Sequence, residues 1–184
     1  MRVIAGTARR TPLVAPPGAD TRPTADRAKE GLFNILGTRV RGARFLDLFC
    51  GSGAVGIEAL SRGAREAVFV ERGKPALEAL RKNLVAARVS GEVLPLPVYD
   101  AIEYLHVNGR CFDIIFLDPP YGGNGIAEAL WHFAHAPVLG EGGCIVAETD
   151  AKLPLPEGVP FAPARHRDYG RTRFLFYQTE GTSL

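Results

Sequence analysis

"LDLFCGSGAVGIEAL", residues 46–60, sets a short apolar strand, a glycine turn and the start of a helix in sequence. Gly51, Gly53 and Gly56 fit the pattern GxGxxG. Glycines at such a turn permit positive φ and let a ligand approach the backbone. The same layout serves dinucleotides in one group of folds and S-adenosylmethionine in another. A strand-to-helix turn of this kind can also arise from packing alone.

Outward from this turn, short apolar runs alternate with helical patterns. "RFLDLFC", "EAVFVE", "EVLPLPV", "FDIIFLD" and "GCIVAE" read as strands. "GAVGIEALSRG", "KPALEALRKNLVAARV", "DAIEYLHVNG" and "NGIAEALWHFAHA" read as the helices between them. Such alternation implies right-handed βαβ units and a parallel sheet covered on both faces. After the Pro-rich "KLPLPEGVPFAP", the segments "RHRDYG" and "RTRFLFYQT" predict an antiparallel hairpin, and "EGTSL" a loose end. The expected fold class is thus α/β and Rossmann-like: a seven-stranded, mostly parallel sheet with helices on both faces, a C-terminal antiparallel hairpin and a small basic N-terminal extension.

The extension differs from the rest. "RVIAGTARRTPLVAPPG" predicts a short hairpin, and "TRPTADRAKEGLFNILG" a helix capped by Thr24 that buries Ala28, Leu32, Ile35 and Leu36. The division is residues 1–44 as an arm and helix, and 45–180 as the main domain, the two forming one compact unit. Net charge is only +2 over 184 residues, yet residues 1–44 carry nine Arg and Lys against three Asp and Glu. The remainder carries thirteen against seventeen. A basic arm on a mildly acidic body suits an anionic macromolecule gripped from one side, and it also suits a solvated face that aids solubility.

No apolar run reaches the length of a membrane span, and "MRVIAGTARR" lacks the apolar core of a signal peptide, so a cytoplasmic protein is expected. Cys50, Cys111 and Cys144 form no CxxC pair and adjoin hydrophobic stretches, which predicts buried free thiols. His106, His132, His135 and His166 are isolated, and no metal is expected.

Two carboxylates flank the glycine turn. Glu71, closing the second strand, could hold both hydroxyls of a ribose or form a surface pair with Arg72. Asp47 discriminates between ligands: ahead of the loop it would repel a pyrophosphate at the helix amino terminus, but it suits the ammonium and sulfonium of S-adenosylmethionine. Asp100, in "PVYDAIEYL", can accept from an adenine amino group or cap a helix.

"FLDPPY", residues 116–121, ends the fourth strand beside the glycine turn, where open α/β sheets bind ligands. Pro119 and Pro120 stop both helix continuation and ladder bonding, and Asp118 is held extended by the proline after it. Methylation of an exocyclic amino nitrogen needs such a turn, because the nitrogen lone pair is delocalised into the ring until acceptors hold the amino hydrogens. The Asp118 carboxylate and the Pro119 carbonyl can be those acceptors, and Tyr121 can stack on the base.

With "RVIAGTARRTPL", "TRPTADRAKEGLFNIL", "LDLFCGSGAVGIEALSRGA", "VFVER" and "FLDPPY" in this order, the chain resembles the class I methyltransferases, and among them the bacterial RsmD family. Members are 16S ribosomal RNA guanine-N2 methyltransferases acting at the nucleotide numbered 966. The resemblance implies S-adenosylmethionine as donor and S-adenosylhomocysteine as product. It further implies a donor pocket of Asp47, Gly51, Ser52, Gly53, Gly56, Glu71, Arg72, Asp100 and Ala101. Asp118, Pro119, Pro120 and Tyr121 would hold the target base, and Arg9, Arg10, Arg22, Thr24, Arg27 and Arg171 would contact RNA.

The implied partner is 16S rRNA within the small ribosomal subunit or its assembly intermediate; a monomer is the default expectation, and no membrane contact is expected from the apolar runs. An adenine-N6 methyltransferase shares DPPY but usually carries an added recognition region for which this chain has little room. A nicotinamide dehydrogenase shares GxGxxG but leaves DPPY unexplained. A non-catalytic rRNA-binding assembly factor keeps the basic arm and predicts binding without methyl transfer.

Overall fold

The structure is a computed structural model that describes residues 1–16, 23–120, 124–161 and 163–178. Its elements are α1 (Pro23–Leu36), a 3₁₀ turn (Gly37–Val40), β1 (Arg44–Leu48), α2 (Ala54–Ser61), β2 (Glu66–Val70), α3 (Lys74–Ala87), β3 (Glu92–Leu94), α4 (Val98–Val107), β4 (Phe112–Leu117), α5 (Gly125–His135), β5 (Leu139–Asp150), β6 (Arg165–Tyr169) and β7 (Thr172–Gln178). The sheet has seven strands in the order β3-β2-β1-β4-β5-β7-β6. β1 pairs in parallel with both β2 and β4, so the order reverses between them. β7 runs antiparallel to β5 and to β6, which makes the predicted hairpin an insertion of β7 between two strands of the common direction.

The central strands read as unbroken apolar runs because both their faces are covered. Alternate residues part them into two cores. Phe45, Ile114, Phe116, Val146 and Phe174 pack with Leu32 and Phe33 of α1, Ile57 of α2 and Leu80 of α3. Leu46, Leu48, Ile115, Leu117 and Ile145 pack on the other face with Ile102 of α4 and Leu130 of α5.

Several boundaries depart from the sequence reading. The run "EVLPLPV" is a strand only to Leu94, since Pro95 and Pro97 have no N–H for a ladder, and α4 starts at Val98 straight after Pro97. Asp100 therefore lies in the first turn of α4 and does not cap it. Likewise α1 starts at Pro23, a residue whose fixed φ suits the first helical position, so Thr24 is inside the helix and is not its cap. Phe33 joins its buried face, with Ile35 only half-buried. β5 begins four residues before the expected "GCIVAE", with a register shift opposite Phe112 and Ile114.

The arm forms the expected tight hairpin, bridging Arg2 to Pro12, with Val3 N–H donating to Thr11 O at 3.0 Å and Arg10 N–H to Val3 O at 2.9 Å. It docks on α2, where the fully buried Glu58 accepts from Ile4 N at 2.7 Å and Ala5 N at 3.0 Å.

Candidate active site

The glycine turn carries the chain from β1 into α2, and its three glycines are there for different reasons. Gly53 has φ +76, and a Cβ on it would meet Leu80 Cδ1 at 2.3 Å. A Cβ on Gly56 would meet Phe69 Cε1 at 2.4 Å and Asp47 Oδ2 at 3.0 Å. Close helix-to-strand packing thus accounts for these two. A Cβ on Gly51 would meet nothing within 4 Å, so that position stays open to a ligand.

Asp47 is buried in β1, and its Oδ2 accepts the Gly56 N–H at 2.8 Å. The bond satisfies a donor that the start of α2 otherwise leaves unpaired, since Gly53 has no side chain to do it. Burial pushes the Asp47 carboxyl up to about 7; the Gly56 bond opposes that rise, and the charges of Asp118 and Glu71 add to it. Glu71 ties the turn to the start of α3, accepting from Gly51 N at 3.0 Å through Oε2 and from Gly73 N at 2.6 Å through Oε1. Each of its oxygens keeps a second lone pair for a ligand hydroxyl. No ion pair joins Glu71 to Arg72 among the described residues.

Two cavities lie on either side of Phe49, a residue that sequence reasoning passed over. Phe49 has φ +57, an uncommon conformation for an aromatic residue, and it lines both. The larger cavity, about 490 Å³, has walls from Glu71, Arg72, Leu96, Pro97, Val98, Tyr99, Pro119 and Pro120. The Tyr99 hydroxyl donates to Glu128 at 2.5 Å, and its ring stacks on His132 at 4.3 Å. The smaller cavity, about 280 Å³, is bounded by Asp47, Gly51, Ser52, Phe116, Asp118, Glu148 and Phe174, and by Ala28, Lys29 and Leu32 of α1. The DPPY turn therefore divides: Asp118 faces one cavity, and the two prolines face the other. Tyr121 lies outside the described residues.

Glu148 is the second feature that sequence reasoning missed. β4 pairs with β5 at Leu117 and Ala147, which sets Asp118 beside Glu148 one step further along. Thr172 Oγ1 donates to Glu148 Oε1 at 3.4 Å. Burial raises both carboxyls, and the Asp118 charge raises Glu148 further. The available signal was an acid closing a buried apolar strand, as Asp118 closes its own.

The remaining predicted residues scatter. Asp100 is exposed and Ala101 is buried on the α4 side of the sheet, and neither lines the two cavities as described. Arg9, Arg10 and Arg27 converge with Arg2 on a cleft of about 450 Å³ between the arm and α1. Arg171 sits apart at the β6–β7 turn, paired with Asp150 at 3.0 Å. Arg22 lies outside the described residues. No group of His, Cys, Asp or Glu that could hold a metal occurs among the described residues, and no helix there is long and apolar enough to cross a membrane.

Known proteins resemble this chain in sequence and in fold. Residues 1–178 match the family described as Conserved hypothetical protein 95. A Bacillus subtilis protein, described provisionally as an rRNA methyltransferase, is 40% identical over 98% of this chain and 100% of its own. Ribosomal RNA small subunit methyltransferase D of Escherichia coli is 32% identical over 98% of this chain and 90% of its own. Among solved structures, a Thermus thermophilus 16S rRNA N2 G1207 methyltransferase in complex with AdoMet and guanosine superposes with a TM-score of 0.70 at 27% identity. That match covers 89% of this chain and 45% of the other.

Proposed function

The chain belongs to the conserved hypothetical protein 95 family, which is the RsmD family, and we propose that it transfers a methyl group from S-adenosylmethionine to the exocyclic N2 of a guanine in 16S ribosomal RNA. The observation that carries this reading is the position of Asp118: at the C-terminal end of β4, next to the reversal of strand order, facing the cavity that the glycine turn also lines.

The residues present fit the donor. The larger cavity offers apolar walls for an adenosine and the Glu71 carboxylate at its rim for ribose hydroxyls, while Asp47 and the open side of Gly51 suit a positively charged methionyl end. S-adenosylmethionine, when bound, supplies an electrophilic methyl on a sulfonium. The protein's part is positioning and charge. Asp118 accepts one N2 hydrogen and the Pro119 carbonyl the other, which turns the nitrogen lone pair out of conjugation and toward the methyl. The Asp118 carboxylate then takes the proton that N2 sheds. The two prolines hold both acceptors on a rigid turn, and Tyr121 stacks on the base. Arg9, Arg10 and Arg27, on one cleft with Arg2, contact RNA phosphates, with Arg22, Thr24 and Arg171 as further contacts. Arm and main domain act as one unit, a monomer in the cytoplasm, on the small subunit or its assembly intermediate.

The test is methyl transfer from labelled donor to small subunits that lack the modification. Wild-type protein labels 16S rRNA; Asp118→Ala loses transfer by on the order of 10²-fold or more while still binding donor by titration. RNA binding with no label from the wild type would leave the assembly-factor reading in its place.

A further inference from the structure

DPPY is compatible with either guanine N2 or adenine N6, so what selects guanine must lie elsewhere in the base cavity. The geometry assigns that task to Glu148: its carboxylate accepts the N1–H of guanine while Asp118 holds the neighbouring N2 amino group. This rests on the function proposed above and names the residue that makes it guanine-specific.

Three observations lead here. Glu148 and Asp118 are side by side at the C-terminal ends of adjacent parallel strands, by the register of Ala147 on Leu117, and neighbouring strands lie roughly 5 Å apart. Both line the same cavity, which Phe116 and Phe174 also line, so a base lying there is within reach of both acids. Among the described residues the hydrogen bond to the Glu148 side chain is a long one, from Thr172 Oγ1 to Oε1 at 3.4 Å, which leaves Oε2 for a base.

The chemistry of the two purines then decides. Guanine presents two adjacent donors on one edge, N1–H and N2–H, and two adjacent carboxylates are two acceptors. Adenine presents N1 as a bare acceptor beside its amino group, and a lone pair facing an ionised carboxylate costs binding where guanine gains it. A tight pair of acids is expensive to keep ionised in a half-buried cavity, and two base donors offset part of that cost in guanine alone.

The experiment replaces the target guanine in the RNA of a reconstituted small subunit by 2-aminopurine, which keeps the exocyclic N2 amine and has no N1–H. Rates are compared above pH 8, where Glu148 is ionised. Wild-type protein is expected to favour guanine over 2-aminopurine by on the order of 10²-fold in kcat/KM. In Glu148→Gln the side-chain amide can accept from N1–H or donate to a bare N1, so the ratio of guanine to 2-aminopurine turnover falls to within a few-fold. Glu148→Ala loses the preference together with turnover on guanine. Donor titration identifies a variant that has failed to fold, and the isosteric Gln variant carries the test should Ala do so. A preference equally large in wild type and Glu148→Gln, or absent from the wild type, overturns the assignment and leaves the methyltransferase reading standing. Wild-type protein that methylates no guanine N2 overturns both.

Discussion

Asp47, Asp118 and Glu148 put three carboxyl groups around one small cavity, and their proton affinity follows from that crowding. Burial comes first for all three, raising Asp47 and Asp118 from 3.8 to about 7 and Glu148 from 4.5 to about 8. On the proposed mechanism Asp118 can take the N2 proton only when it is ionised. We predict that kcat/KM rises with pH through about 7 and on through about 8, as the Asp118–Glu148 pair loses its two protons, and levels off only above that, as read from initial rates across pH 6 to 9. Stability runs the opposite way. A carboxyl whose folded pKa exceeds its unfolded value binds more protons in the native state, so its contribution is full at low pH and is lost as pH rises through the folded value. The melting temperature of the ligand-free protein should fall from about pH 4 to about pH 8 and level off above that, and Asp118→Asn should flatten that fall; an unchanged slope in the variant would count against the assigned environment.

Asp47 and Asp118 were legible because each sits at a fixed step from a motif, before a glycine turn or before two prolines, and Glu71 because it closes the second strand after that turn. Glu148 was not, since its role depends on β4 and β5 lying in register thirty residues apart in sequence, which no local pattern reports. Phe49 was hidden for a different reason: an aromatic residue after a strand looks like core, and only its φ of +57 between two cavities says otherwise.

Helices, strands and turns were read well where period and punctuation agreed, and poorly where proline intervened. Val93 and Leu94 continue an apolar run into "PLPV", and the missing N–H groups of Pro95 and Pro97 end the strand that the run alone would extend. The glycine turn makes a stability prediction. Gly56→Ala forces its methyl against Phe69 and the Asp47 carboxylate, so it should cost about 1–3 kcal/mol in urea unfolding; a neutral result would mean that α2 is free to move away from β2. Glu58, together with Ser61 and Lys29, ties the arm to α1 and α2. It accepts from two arm N–H groups and from Arg62 Nε at 2.7 Å, and lies 3.4 Å from Lys29 Nζ, whose pKa burial lowers despite that partner. Glu58→Ala strands these donors and should destabilise the fold by about 3–5 kcal/mol, with earlier proteolysis of residues 1–16 than of the sheet.

The protein as a whole separates its duties by charge. Carboxylates outnumber cations around the cavities at the strand ends, whereas Arg2, Arg9, Arg10 and Arg27 outnumber Asp26 and Glu30 on the cleft between arm and α1. The excess of cations in residues 1–44 pointed to this face, and Arg171, whose segment is also basic, lies at the β6–β7 turn, where it pairs with Asp150. Replacing Arg9 and Arg10 by Glu should weaken RNA binding and lower the slope of log affinity against log salt by about one for each phosphate no longer neutralised, with donor binding unchanged. Seven strands in the order β3-β2-β1-β4-β5-β7-β6 bring the glycine turn, Glu71 and the DPPY turn to one edge, as alternation and motif spacing implied.

Methyl transfer to guanine is tested most directly by the identity of the product. The purified protein is incubated with labelled S-adenosylmethionine and small subunits lacking the modification, and the 16S rRNA is digested and its labelled nucleoside identified and mapped. N2-methylguanosine at a single site is the expected result. Label on adenosine, or no label on RNA from protein that binds the donor, would contradict it.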